Sequence, residues 1–164
     1  MNYPLTQHYV NTIIKSIKKC LFSLLVAFLI FPAAGQERIL SYDTRITVEK
    51  SGDLQVTEVI TVVAEGNAIK RGIYRTFPTR YSNPMGTRFK VDFQVSEVLR
   101  DGVPEPWFTE NKDNGVVVYI GDRDREITPG THTYTLTYRT SRQVGFFKEY
   151  DELYFNAIGG DWVF

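Results

Sequence analysis

The chain has 164 residues, which is room for one ordinary domain and a short appendage, not for two lobes around a cofactor cleft. Nineteen Lys and Arg balance nineteen Asp and Glu. A nucleic-acid binder normally carries a basic excess on one face, so no nucleic acid is expected as partner.

The first 35 residues read as an export signal. Lys15, Lys18 and Lys19 are their only charges, so the remainder holds 16 basic against 19 acidic residues. Residues 20–31 (CLFSLLVAFLIF) form an apolar run of 12 interrupted only by Ser23; a helix crossing the hydrocarbon layer needs roughly 20. Ala33 and Gly35 supply the small residues that a signal peptidase reads. Cleavage is therefore expected after Gly35, leaving Gln36 first, with Ala34 as the neighbouring choice and an uncleaved anchor as the alternative. The predicted organisation is a signal helix over 1–35 and an extracytoplasmic domain over 36–164. The one cysteine, Cys20, leaves with the leader, so the exported part has no disulfide, no thiol nucleophile and no thiolate metal site.

Beyond Gln36 the hydrophobic period is that of strands. Tyr42, Thr44, Ile46 and Val48 alternate with polar residues, Ser51-Gly52-Asp53 turns the chain, and Leu54 to Ala64 is β-branched, so the pair predicts a hairpin. Phe89, Val91, Phe93 and Val95 alternate strictly with Lys90, Asp92, Gln94 and Ser96. The Asp-Gly in Arg100-Asp101-Gly102-Val103 predicts a tight hairpin, continued through residues 106–109 with prolines at an edge. Residues 116–120 are apolar and bounded by glycines, as in a strand covered on both faces. Pro129-Gly130 turns into a last alternating run carrying Tyr134, Leu136 and Tyr138. About six to eight short strands without helical stripes predict an all-β, Ig-like antiparallel sandwich.

Catalytic and metal motifs are sparse. His132 is the one histidine after the leader and falls on an apolar face, so a packing or turn role is expected, not a zinc site or a triad. Asp122, Asp124 and Glu126 alternate as calcium ligands do, yet Ile127 stands where the loop needs glycine and Arg123 and Arg125 interleave, which favours a solvated hairpin with self-neutralising charges. Residues 111–115 read as a turn. No P-loop, dinucleotide fingerprint or H-E-x-x-H occurs, and no cofactor is expected.

Lys70, Arg71, Arg75 and Arg80 lie within residues 69–81, interleaved with Tyr74, Phe77 and Tyr81. Two readings fit: an anion or lipid-headgroup surface made by Lys70, Arg71 and Arg80, or one arginine turned inward to a carboxylate. The second is favoured. Glu58 shares a strand face with Leu54, Val56, Ile60 and Val62, where a charge needs a partner, and Arg75 is assigned to it.

Four fragments, 54–58 (LQVTE), 72–78 (GIYRTFP), 133–138 and 151–162 (DELYFNAIGGDW), resemble in order and spacing the YciQ-like family of bacterial predicted membrane proteins, a domain of unknown function. The resemblance covers roughly residues 38–164. It implies an extracytoplasmic β-sandwich behind a signal sequence, followed in the family by transmembrane helices. Phe155 and Ala157 depart from the family's more usual Trp and Val, and the chain is expected to be a truncated product lacking a C-terminal strand and the membrane segments. The resemblance carries no catalytic residues. The function expected is a non-enzymatic interaction or sensing module of the cell envelope, with envelope proteins as partners and its oligomeric state open. The alternative is a carbohydrate-binding or hydrolase-associated module with Trp107, Phe108, Phe146, Phe147 and Trp162 as a stacking platform.

Overall fold

A computed structural model describes residues 12, 14–19, 36–82 and 86–158. The apolar run 20–31, Gly35 and Trp162 lie outside the described residues. The chain divides into two compact units, 1–34 and 35–164. In the first, residues 14–19 are helical. Among the described residues no helix is long and apolar enough to cross a membrane.

The second unit is all β. Its strands are β1 Arg38–Val48, β2 Leu54–Ala64, β3 Ile73–Pro78, β4 Arg80–Ser82, β5 Arg88–Lys90, β6 Phe93–Arg100, β7 Val103–Pro104, β8 Trp107–Lys112, β9 Gly115–Ile120, β10 Gly130–Thr140, β11 Val144–Phe146 and β12 Asp151–Leu153. Eight of them form two antiparallel sheets, ordered β1-β2-β10-β6-β7 and β3-β9-β8; β4-β5 and β11-β12 are separate ribbons. Val56, Ile60, Val62, Tyr134, Leu136 and Tyr138 of the larger sheet share one core with Ile73, Phe77, Val118 and Ile120 of the smaller. The all-β sandwich read from the alternation is thus what the chain forms. Its two longest inner strands, β2 and β10, pair over 11 residue positions. On the outer face their threonines bond across strands, Thr57 to Thr137 at 3.3 Å and Thr61 to Thr133 at 3.1 Å.

Local chemistry explains the turns. The β1–β2 hairpin closes over Ser51-Gly52-Asp53, with Gly52 at φ 83°. Asp101 (φ 53°) and Gly102 (φ 79°) are both left-handed, the type I′ geometry that matches strand twist and selects Asp-Gly.

Three expectations need correction. The alternating run 89–96 is not one strand. Val91 leaves β5 by bonding its amide to the Thr79 carbonyl at 2.9 Å, and β6 carries a bulge where Ser96 is passed over in the pairing with β10. The Ser96 hydroxyl donates to the Thr137 carbonyl at 3.0 Å, and the inward positions shift from Phe93 and Val95 to Val98. Second, the run after the Asp-Gly turn does not stay in the same sheet. β7 holds only Val103–Pro104; past Pro106, β8 pairs with β9 in the other sheet. Two prolines remove the amides that would extend the edge. Third, residues 121–129 are not a hairpin but the crossing from β9 in one sheet to β10 in the other.

Candidate functional site

The core between the sheets contains a charge. Leu136 stands opposite Glu58 in the β2–β10 register, so Glu58 points among apolar side chains and has 0% exposure. Arg75, in the middle of β3, meets it from the facing sheet. Its Nε donates to Glu58 Oε2 at 2.7 Å and its Nη2 to Oε1 at 2.8 Å. The Tyr138 hydroxyl donates to the same Oε1 at 2.9 Å. The guanidinium also lies 5.5 Å from the Tyr42 ring centre and 5.0 Å from that of Phe77. Burial works against the arginine's charge, but the bonds and field of Glu58 outweigh it and hold its pKa above the ordinary value. Burial and the Glu58 charge push both tyrosines upward, so each phenol stays a donor.

Chemically this is a brace. A carboxylate taking two charge-assisted bonds and a phenol proton has little left for proton transfer. It ties β2 and β10 to β3 across the sandwich. A cavity of about 220 Å³ adjoins it, lined by Arg75, Phe77, Tyr138, Gln143 and Phe155 among others. Along its side runs the segment after β12, where Tyr154 bonds to the Gln143 carbonyl at 2.9 Å and the Tyr42 hydroxyl donates to the Ala157 carbonyl at 3.2 Å.

The cations assigned to one anion surface are split. Lys70 and Arg71 precede β3 and line a hollow with Gly121 and Arg123. Arg80 follows β3; its amide bonds to the Asn114 carbonyl at 3.2 Å and its guanidinium to the Asp113 carbonyl. The six residues of β3 separate the two groups by roughly 20 Å at the usual strand rise. Arg80 instead lines another hollow with Arg88 and Lys90.

His132 is nearly buried at the start of β10. Its Nδ1 lies 2.7 Å from Asp101 Oδ2 and its Nε2 2.7 Å from the Thr128 carbonyl oxygen. Burial raises the Asp101 pKa, but the bonds from His132 and the Thr133 amide outweigh it and lower the value overall. Among the described residues no group of three His, Cys, Asp or Glu side chains is placed to hold a metal. Asp122 instead pairs with Arg125 at 3.8 Å and accepts the Asp124 amide at 2.9 Å.

Trp107 and Phe108 do not share one stacking surface. Trp107 pairs with Ile120 and Phe108 with Tyr119, so the two rings lie on opposite faces of the sheet. Phe108 and Tyr119 turn their faces to each other, 4.8 Å apart and 11° from parallel, and the Arg123 guanidinium covers Phe108 at 3.8 Å. Phe147 stacks on Tyr150 at 5.0 Å in the β11–β12 ribbon.

Sequence reasoning missed Glu37. Beside Gln36, its carboxylate accepts the amides of Glu65, Asn67, Ala68 and Ile69 at 2.6–3.3 Å. Burial opposes the charge, the four amides outweigh it, and the pKa falls below the ordinary value. The amides belong to a loop with no side-chain signature, so no sequence pattern announces this partner.

The family described as "Predicted membrane protein (DUF2207) N-terminal domain" matches residues 38–164. The Uncharacterized protein YciQ of Escherichia coli (strain K12) is 30% identical over 131 residues, which are 79% of this chain and 20% of that protein. The chain thus spans about one-fifth of the length of that curated relative. No solved structure matches the chain.

Proposed function

Because the chain belongs to the DUF2207 family of predicted membrane proteins, carrying the family's N-terminal domain, we propose that residues 36–164 form a β module that works by contact on the extracytoplasmic side of a membrane and runs no reaction of its own. The leader supports the export step: three lysines, a short apolar run and small residues at the expected cleavage point. A sandwich that needs no disulfide suits a chain whose one cysteine lies in that leader.

One contrast carries the contact reading. The buried acids Glu58 and Glu37 and the buried His132 are occupied by fixed partners, Glu58 by Arg75 and Tyr138, Glu37 by backbone amides, His132 by Asp101 and Thr128. Large apolar side chains, by contrast, gather in the open at Phe146, Phe147, Tyr150, Leu153 and Tyr154, the last 77% exposed. Contiguous exposed apolar surface marks contact sites more often than catalytic ones. Envelope proteins are the partners this surface suits.

A photo-crosslinking amino acid at Phe147 or Tyr154, introduced in living cells, tests the reading. Discrete adducts that do not form from the same probe at Asp124 support it. No adducts, or one pattern from all three positions, contradicts it.

A further inference from the structure

We propose that the hollow at the Lys70–Arg71 end of the smaller sheet binds a phosphate group, free or esterified. The hollow has a volume of about 470 Å³, and Lys70, Arg71, Arg123, Tyr74 and Tyr119 are among the side chains that line it. Its two acids are already engaged: Glu110 by Arg123 at 3.4 Å and Lys112 at 3.9 Å, Asp122 by Arg125 at 3.8 Å. Lys70 and Arg71 are exposed, and neither makes an ion pair among the described residues. The hollow therefore holds positive charge that its own acids do not neutralise.

The backbone under these cations is fixed in advance. Glu37 gathers the amides of Glu65, Asn67, Ala68 and Ile69, and the Ile127 amide bonds to the Lys70 carbonyl at 2.9 Å. Gly72 and Gly121 pass so closely that a Cβ on Gly72 would sit 1.8 Å from the Ile120 carbonyl oxygen, and one on Gly121 1.8 Å from that of Arg71. Arg123 is held over Phe108 by stacking and against Glu110. Cations on a rigid frame lose less entropy on capturing an anion.

Donor number selects the anion. A lysine offers three N–H donors and each arginine five. The Tyr119 hydroxyl accepts from Lys112 Nζ at 2.8 Å and keeps its own proton to donate. A carboxylate has two oxygens to satisfy this set, whereas a phosphate monoester has three and up to two charges. The monoester headgroup of phosphatidic acid and a soluble phosphate monoester share that chemistry. This inference does not depend on which side of a membrane the domain occupies.

Calorimetric titration of the full 164-residue chain with inorganic phosphate, glycerol phosphate, short-chain phosphatidic acid and acetate tests the site. At least one phosphate compound should bind more tightly than acetate, and affinity should fall with added salt. The double variant Lys70→Gln/Arg71→Gln should weaken it by at least about tenfold, having lost charge-assisted bonds, and Arg123→Gln should weaken it as well. Arg80→Gln, at the far end of β3, should change it by less than about twofold. Preference for phosphatidic acid identifies a headgroup source, and preference for glycerol phosphate a soluble one. Absence of binding by all three phosphates, acetate binding as tightly as they do, or equal losses in Arg80→Gln and the double variant would overturn the proposal. Circular dichroism and melting of each variant separate lost binding from lost fold.

Discussion

Glu58 is a carboxylate without exposed surface that accepts three donors from Arg75 and Tyr138 at 2.7–2.9 Å. Removing one partner strips the other of its countercharge inside the core, so Arg75→Leu or Glu58→Leu should each cost about 3–5 kcal/mol in urea unfolding. Replacing both at once should recover most of that loss, because an apolar pair of similar volume is often neutral or better in such a place. Equal and additive losses in the double variant would contradict the pairing. Glu37 adds a pH dependence. Its folded pKa lies below the ordinary 4.5, so its contribution is fully present above that value and fades as pH falls through the folded one. Asp101, below its ordinary 3.8 for the reasons given, acts in the same direction. Glu37→Gln should therefore flatten the acid limb of the stability profile between about pH 5 and 3 and leave the neutral-to-alkaline limb unchanged in shape; melting temperatures across that range measure it. Glu58 and Arg75 were legible as a pair because a charge among Leu54, Val56, Ile60 and Val62 demands a partner. Glu37 was not, since its partners are backbone amides that any residue carries.

At the scale of elements, two glycines decide whether the end of the smaller sheet can close. Gly72 sits at φ 132° and Gly121 at φ 138°, and each has a carbonyl oxygen 1.8 Å from where a Cβ would stand. Gly72→Ala combines a strained backbone with an overpacked contact, for a loss of roughly 2–6 kcal/mol. Gly66→Ala, at φ 78° with open space around it, carries the strain alone, roughly 1–3 kcal/mol. Denaturant midpoints for the two variants check the order; an equal cost would mean the close approach is absent. Turn chemistry made the Asp101-Gly102 hairpin readable, because left-handed residues at both positions select few dipeptides. The passage of β8 into the other sheet was not readable, since its pairing with β9 is a tertiary choice that two prolines permit without specifying. The bulge at Ser96 escaped for a related reason: only the partner strand β10 reveals which residue is passed over. Arg80 was grouped with Lys70 and Arg71 by nearness in sequence, whereas an extended β3 carries it to the opposite end.

For the molecule as a whole, alternation along β1, β2 and β10 announced an all-β sandwich, because a strand's period of two maps directly onto a buried and a solvated face. The exposed apolar side chains around β11 and β12 were less visible: the aromatic residues of that stretch read equally well as core until their exposure is known. The larger proposition is that the sandwich faces away from the cytoplasm. The chain lends itself to a direct test, since its one cysteine, Cys20, lies outside residues 36–164. In a Cys20→Ser background, Val103→Cys places a lone thiol on a side chain 64% exposed at the sheet edge. A membrane-impermeant maleimide applied to intact bacteria, or to spheroplasts where an outer membrane intervenes, should label that thiol fully before lysis. Labelling that appears only after the inner membrane is broken would place the domain in the cytoplasm and contradict the proposal.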